Sequence, residues 1–158
     1  MKKGNLSILS TLTGAIIGII FDHYIINNKK NNFTKEMKFR TYYNILNRWL
    51  QLKQDGVNLG QYFIDNNIQN IAIYGMGELG SRLYNELKNT NIEIKYAIDK
   101  EGDRMYSIID TYTLDDDIEI VDAIIVTAVF DFDFIRRKLS KKISCQIISL
   151  EDVVFNLE

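Results

Sequence analysis

Proline is absent from this chain of 158 residues, and cysteine, histidine and tryptophan occur once each. The missing prolines say little about function, but the other scarcities exclude whole classes of chemistry. A lone Cys145 builds neither a disulfide framework nor a thiolate metal site, and it suits a reducing compartment. It lies in an apolar run (residues 143–150), where a small buried hydrophobe is expected. A lone His23 excludes a histidine-based triad or metal cluster. The net charge of −2 lacks the basic excess of a nucleic-acid binder. With 46% hydrophobic and 25% charged residues, the chain has room for one ordinary domain plus an appendage.

Charge is also missing locally. After Lys2 and Lys3, residues 4–21 carry none, a length at the lower end of what crosses a bilayer as a helix. No small-residue cleavage site follows, so residues 1–26 are expected to be an uncleaved membrane anchor. Lys29, Lys30, Lys35, Lys38 and Arg40 outnumber Lys2 and Lys3, which places the C-terminal part in the cytoplasm as a single-pass membrane protein. Ser10, Gly14 and Gly18 recur every four residues, a spacing through which two such helices can pair as a homodimer.

Residues 27–34 are polar and read as a linker; residues 35–67 read as a helical lead-in. There Phe39, Tyr42, Tyr43, Leu46, Trp49, Leu50 and Lys53 follow helical spacing, an aromatic face expected to pack on the next domain or to serve as a partner stripe. Asp55 and Gly56 stop that helix, and a short second one runs over residues 59–66 with Leu59, Tyr62 and Phe63 inward.

The chemistry concentrates in Ile71-Ala-Ile-Tyr-Gly75-Met76-Gly77-Glu78-Leu79-Gly80, an apolar strand joined to an amphipathic helix through Gly-x-Gly-x-x-Gly. Gly75 permits the tight turn, Gly77 lets backbone approach a pyrophosphate, and Gly80 lets helix and sheet pack closely. A second apolar run, residues 92–99, ends in Asp99 about 20 residues past the glycines, where an acceptor for a ribose 2′-hydroxyl belongs. Lys100 follows it. These residues predict binding of NAD or NADP, with NAD favoured because a carboxylate opposes a 2′-phosphate; the alternative is a glycine turn used only for packing.

Residues 109–112 form a weak third strand, and Thr113 is expected to cap a helix whose first turn is Asp115, Asp116 and Asp117. Residues 121–129 are a continuous buried strand, with Thr127 and Ala128 at its crevice end. Asp131 caps a helix through Phe134, Ile135 and Leu139; residues 146–150 make a fifth strand and residues 151–156 a terminal helix. The expected fold is α/β: a small parallel sheet of order 3-2-1-4-5 over residues 68–158, preceded by helices and an N-terminal transmembrane helix.

The glycine turn, Asp99 with Lys100, and Val121-Asp-Ala-Ile-Ile-Val-Thr127 before Asp131 and Asp133 resemble small Rossmann-type proteins of bacterial surface-polysaccharide synthesis. Related domains precede the catalytic part of membrane-bound nucleoside-diphosphate-sugar dehydratases and epimerases. The resemblance implies a Rossmann-like module for NAD(P) or a nucleotide sugar, working with a polysaccharide-assembly protein. The Tyr-x-x-x-Lys pair of such dehydratases has only two counterparts by spacing, Tyr84/Lys88 and Tyr96/Lys100, both read as accidental. No catalytic or metal-ligating set is expected. Two alternatives stay open: a nucleotide-sugar oxidoreductase or epimerase subunit using Thr127, Asp131 and Asp133, or a ligand-sensing regulatory domain of a membrane transport system.

Overall fold

The computed structural model describes residues 33–99 and 109–157. The expected membrane segment with Ser10, Gly14 and Gly18, most of the linker, and Lys100 lie outside them. Among the described residues no helix is long and apolar enough to cross a membrane. The chain divides into two compact units, Met1–Tyr43 and Asn44–Glu158. Of the first, residues 33–43 are described; all are helical, and Phe33, Phe39 and Tyr43 are 65, 82 and 65% exposed.

The second unit is built on a five-stranded parallel sheet of order β3-β2-β1-β4-β5. Helix α1, described over residues 33–54, leads into α2 (Gly60–Asp65) and the central strand β1 (Asn70–Tyr74). Then come α3 (Glu78–Leu87), β2 (Glu93–Ile98), β3 (Thr111–Tyr112) and β4 (Ala123–Val126). A 3-10 turn (Val129–Asp131), α4 (Phe132–Leu139), β5 (Gln146–Ser149) and α5 (Leu150–Phe155) complete the unit. β1 and β4 are apolar runs because both faces of the sheet are covered, so alternation has no role. One face packs Ile71, Ile73 and Ile125 against Leu83 of α3, Phe63 of α2 and Val153 of α5. The other packs Ala72, Ile124 and Val126 against Ile135 and Leu139 of α4. Since β1 leads to β2 on one side while β4 pairs on its other side, the connections diverge between β1 and β4, the switch point where open parallel sheets hold ligands. The strands end level, with Tyr112, Ile98, Tyr74, Val126 and Ser149 in register.

Three local expectations need correction. The part of α1 in this unit buries Ile45 (0%), Trp49 (6%) and Leu52 (1%), while Leu46 and Leu50 of the expected face are exposed. Trp49 of the expected face is buried as predicted, but its companions in the core are Ile45 and Leu52, which flank it at helical spacing on the other side of that stripe. Thr113 caps no helix: the Asp116 carboxylate accepts from the Thr113 N–H (2.6 Å) and hydroxyl (2.8 Å), closing a turn. Asp131 occupies the N-cap position of α4 without a side-chain capping bond; the working cap at this end of the chain is Ser149, whose hydroxyl accepts from Glu151 N–H at 3.2 Å to start α5.

Candidate functional site

Gly75 follows β1 with φ +93°, a conformation that L side chains rarely adopt, and so turns the chain sharply toward α3. Its N–H donates to Ile98 O at 2.8 Å, tying the turn to the end of β2. Gly80 is held by packing: a Cβ there would lie 2.1 Å from the Gly75 carbonyl oxygen. That same carbonyl lies 2.6 Å from the Thr127 hydroxyl, which is also 3.1 Å from Tyr74 O. Thr127 has one hydroxyl proton, and the shorter contact assigns it to Gly75. Thr127 is 4% exposed, so its hydroxyl fixes the turn from β4 and faces the backbone.

Gly77 has the opposite surroundings. It is the N-cap residue of the ten-residue helix α3 with no side-chain capping bond, and a Cβ placed on it would meet nothing within 4 Å. Gly77 thus leaves open space beside the start of α3, at the positive end of its helix dipole. Asp99, half-buried just past β2, lies across that space and its Oδ2 accepts from Met76 N–H at 3.1 Å. Around these groups lies a cleft of about 480 Å³, within the size range of small-molecule sites.

The structure places Met76, Gly77, Glu78 and Asp99 together on the cleft wall. Gly75 shapes it from behind. Leu79 (7% exposed) and Gly80 are turned into the core, and Ala128 packs with the cluster on the opposite sheet face. Asp131 and Asp133 are exposed at the start of α4. Four lining residues were not anticipated: Ser81, Arg82, Asn85 and Thr111. The first three were detectable, since with Glu78 they occupy i, i+3, i+4 and i+7 on the polar face of the motif helix. Thr111 depends on the pairing of β3 with β2, which local pattern does not reveal.

Glu78 and Asp99 provide negative charge near the turn, and Arg82 a cation one helical turn beyond Glu78. Burial, with Asp99 and Asp131 nearby, raises the Tyr74 phenol above its ordinary value and keeps it protonated. Burial above all, with smaller repulsions from Cys145, Glu119 and Tyr112, pushes Tyr96 up to about 12. Its hydroxyl donates to Glu119 O at 2.7 Å, so it is unsuited to proton abstraction. Burial likewise raises the Cys145 thiol, leaving it a poor nucleophile. Among the described residues no three His, Cys, Asp or Glu side chains are grouped to hold a metal ion.

The arrangement can accept hydroxyl hydrogen bonds at Asp99 and offer N–H donors to an anion at α3. No family model, no curated protein and no solved structure matches this chain.

Proposed function

We propose that the chain is a membrane-anchored nucleotide-binding module, taking a nicotinamide dinucleotide or a nucleoside-diphosphate sugar at the turn between β1 and α3. The observation that carries this reading is the pairing of an unobstructed Gly77 at the start of α3 with the Asp99 carboxylate in one cleft. An anion favours the helix N-terminus, and a ribose diol favours a carboxylate acceptor. Asp99 accepts from Met76 N–H, which orients the carboxylate at the cleft wall, and an ionised carboxylate has about four lone-pair sites in all. The resemblance of the turn, Asp99 and strand β4 to polysaccharide-synthesis domains supports work with a polysaccharide-assembly protein. The uncharged stretch of residues 4–21 with its lysine flanks supports a single membrane span with the C-terminal unit in the cytoplasm.

Thermal unfolding of the full chain in detergent tests the ligand reading, with NAD, NADP, UDP-glucose and ATP each added in turn. A ligand at 100 times its dissociation constant stabilises by about 2.7 kcal/mol, a readily measured shift. An unchanged transition with every nucleotide contradicts the reading. Carbonate washing tests the anchor separately: the chain should stay with the membrane pellet, and its release into the supernatant contradicts the span.

A further inference from the structure

Helix α4 packs Ile135 and Leu139 against the sheet and leaves its other side exposed. That side carries Phe134, 51% exposed, with Arg137 and Lys138 three and four residues on; Lys138 Nζ sits 5.3 Å from the centre of the Phe134 ring. Arg136 is exposed beside them, and Lys141 and Lys142 extend the cluster into the turn after the helix. Five of the chain's 19 Lys and Arg residues thus fall in residues 136–142, with no carboxylate among them, in a chain of net charge −2. Cations in the last turn suit the negative end of the helix dipole, which accounts for Arg136, Arg137 and Lys138. It accounts neither for Lys141 and Lys142 nor for the exposed ring. The acidic run at residues 115–117 is engaged locally: Lys142 Nζ pairs with Asp115 Oδ1 at 2.7 Å, and Asp116 closes on Thr113. That leaves Arg136, Arg137, Lys138 and Lys141 without an ion pair among the described residues.

From this juxtaposition we propose that the exposed side of α4 and the turn after it rest on the headgroups of an anionic membrane. The inference goes beyond the nucleotide site and does not depend on it; it draws only on the membrane anchor, which keeps this unit near lipid. Four cations match the negative surface potential of an anionic leaflet. An exposed ring flanked by cations suits the boundary between headgroups and acyl chains, where the apolar body sinks and the charges stay in water. Each such contact is weak and screened by salt, but an anchor raises the local concentration of lipid so that a few contacts suffice. A nucleic acid is a poorer match, because the cluster is confined to seven residues of a chain without a basic excess.

Lysine footprinting of the full chain tests this, in vesicles of phosphatidylcholine alone and of phosphatidylcholine and phosphatidylserine in equal parts. A neutral acetylating reagent is applied and the modified lysines are counted by mass spectrometry. Lys138 and Lys141 should react more slowly by about threefold or more in the anionic vesicles, and added salt should remove the difference. Lys88, exposed at the C-cap of α3 on the other face of the sheet, serves as the internal control and should react alike in both. Arg136 and Arg137 are exposed, so Arg136→Gln combined with Arg137→Gln should keep the parent's unfolding temperature while losing most of the protection of the two lysines. Equal reaction in both vesicles, equal slowing of Lys88, or protection kept in full by the double variant overturns the inference. So does protection conferred by RNA or polyglutamate and not by the anionic lipid, which assigns the patch to a macromolecular partner. Release of the chain by carbonate overturns the anchor alone, because the footprint is taken before the wash.

Discussion

Gly77 and Gly80 stand three residues apart in one motif yet answer to different constraints. Gly80 abuts the Gly75 carbonyl, so Gly80→Ala forces the turn and α3 apart and should destabilise by about 3 kcal/mol, read by urea unfolding. Gly77 borders open space with φ −67°, so Gly77→Val should leave stability nearly unchanged. Both glycines were legible from the spacing alone. What spacing could not tell was that Thr127 holds the turn, because its hydroxyl reaches Gly75 only through the pairing of β1 with β4. The position of Asp99 just past β2 was legible too, though not its bond to Met76. Asp99→Asn retains an acceptor for Met76 N–H and removes the charge that opposes a 2′-phosphate. Should a dinucleotide bind, NAD should exceed NADP in the parent, and this variant should narrow the ratio; an unchanged ratio in competition titrations contradicts the ribose role.

At the scale of elements, the entry to β1 depends on a side chain from the loop before β4. Asp122 Oδ2 accepts from Gln69 N–H at 2.9 Å and Asn70 N–H at 2.7 Å, and these bonds hold its carboxyl below the ordinary carboxylate range. A depressed folded-state value stabilises above the unfolded-state value of about 3.9 and is lost as pH falls through the folded-state one. Asp122→Ala should therefore cost about 1 kcal/mol at neutral pH, discounted for its exposure, and flatten the loss of stability on acidification. Equilibrium unfolding at pH 7 and below pH 4 checks both. Strands β1, β2 and β4 were legible because apolar runs bounded by turns have few other readings. The inward face of α1 was legible only at Trp49: two stripes at helical spacing share that residue, and Ile45 and Leu52 rather than Leu46 and Leu50 join it because of what they meet, which lies elsewhere in the chain. The acidic run at residues 115–117 suited a helix start equally well as a turn until Asp116 was seen to close back on Thr113.

At the scale of the whole molecule, the sheet order was legible from the βαβ unit at the glycine turn and the strands that come after it, and the described residues have that order. The extent of the cleft was not readable, because its walls come from the start of α3, the end of β2 and the edge strand β3, joined only by folding. The central claim is that this assembled cleft holds a nucleotide with its phosphates at the start of α3. Isothermal calorimetry on the full chain in detergent, comparing the parent with Gly77→Val against the same nucleotide panel, tests it most directly. The account predicts saturable binding of at least one nucleotide by the parent and its loss, by tenfold or more, in a Gly77→Val protein that unfolds at the parent's temperature. A Gly77→Val protein that binds every nucleotide as tightly as the parent, or a parent that binds none, would contradict it.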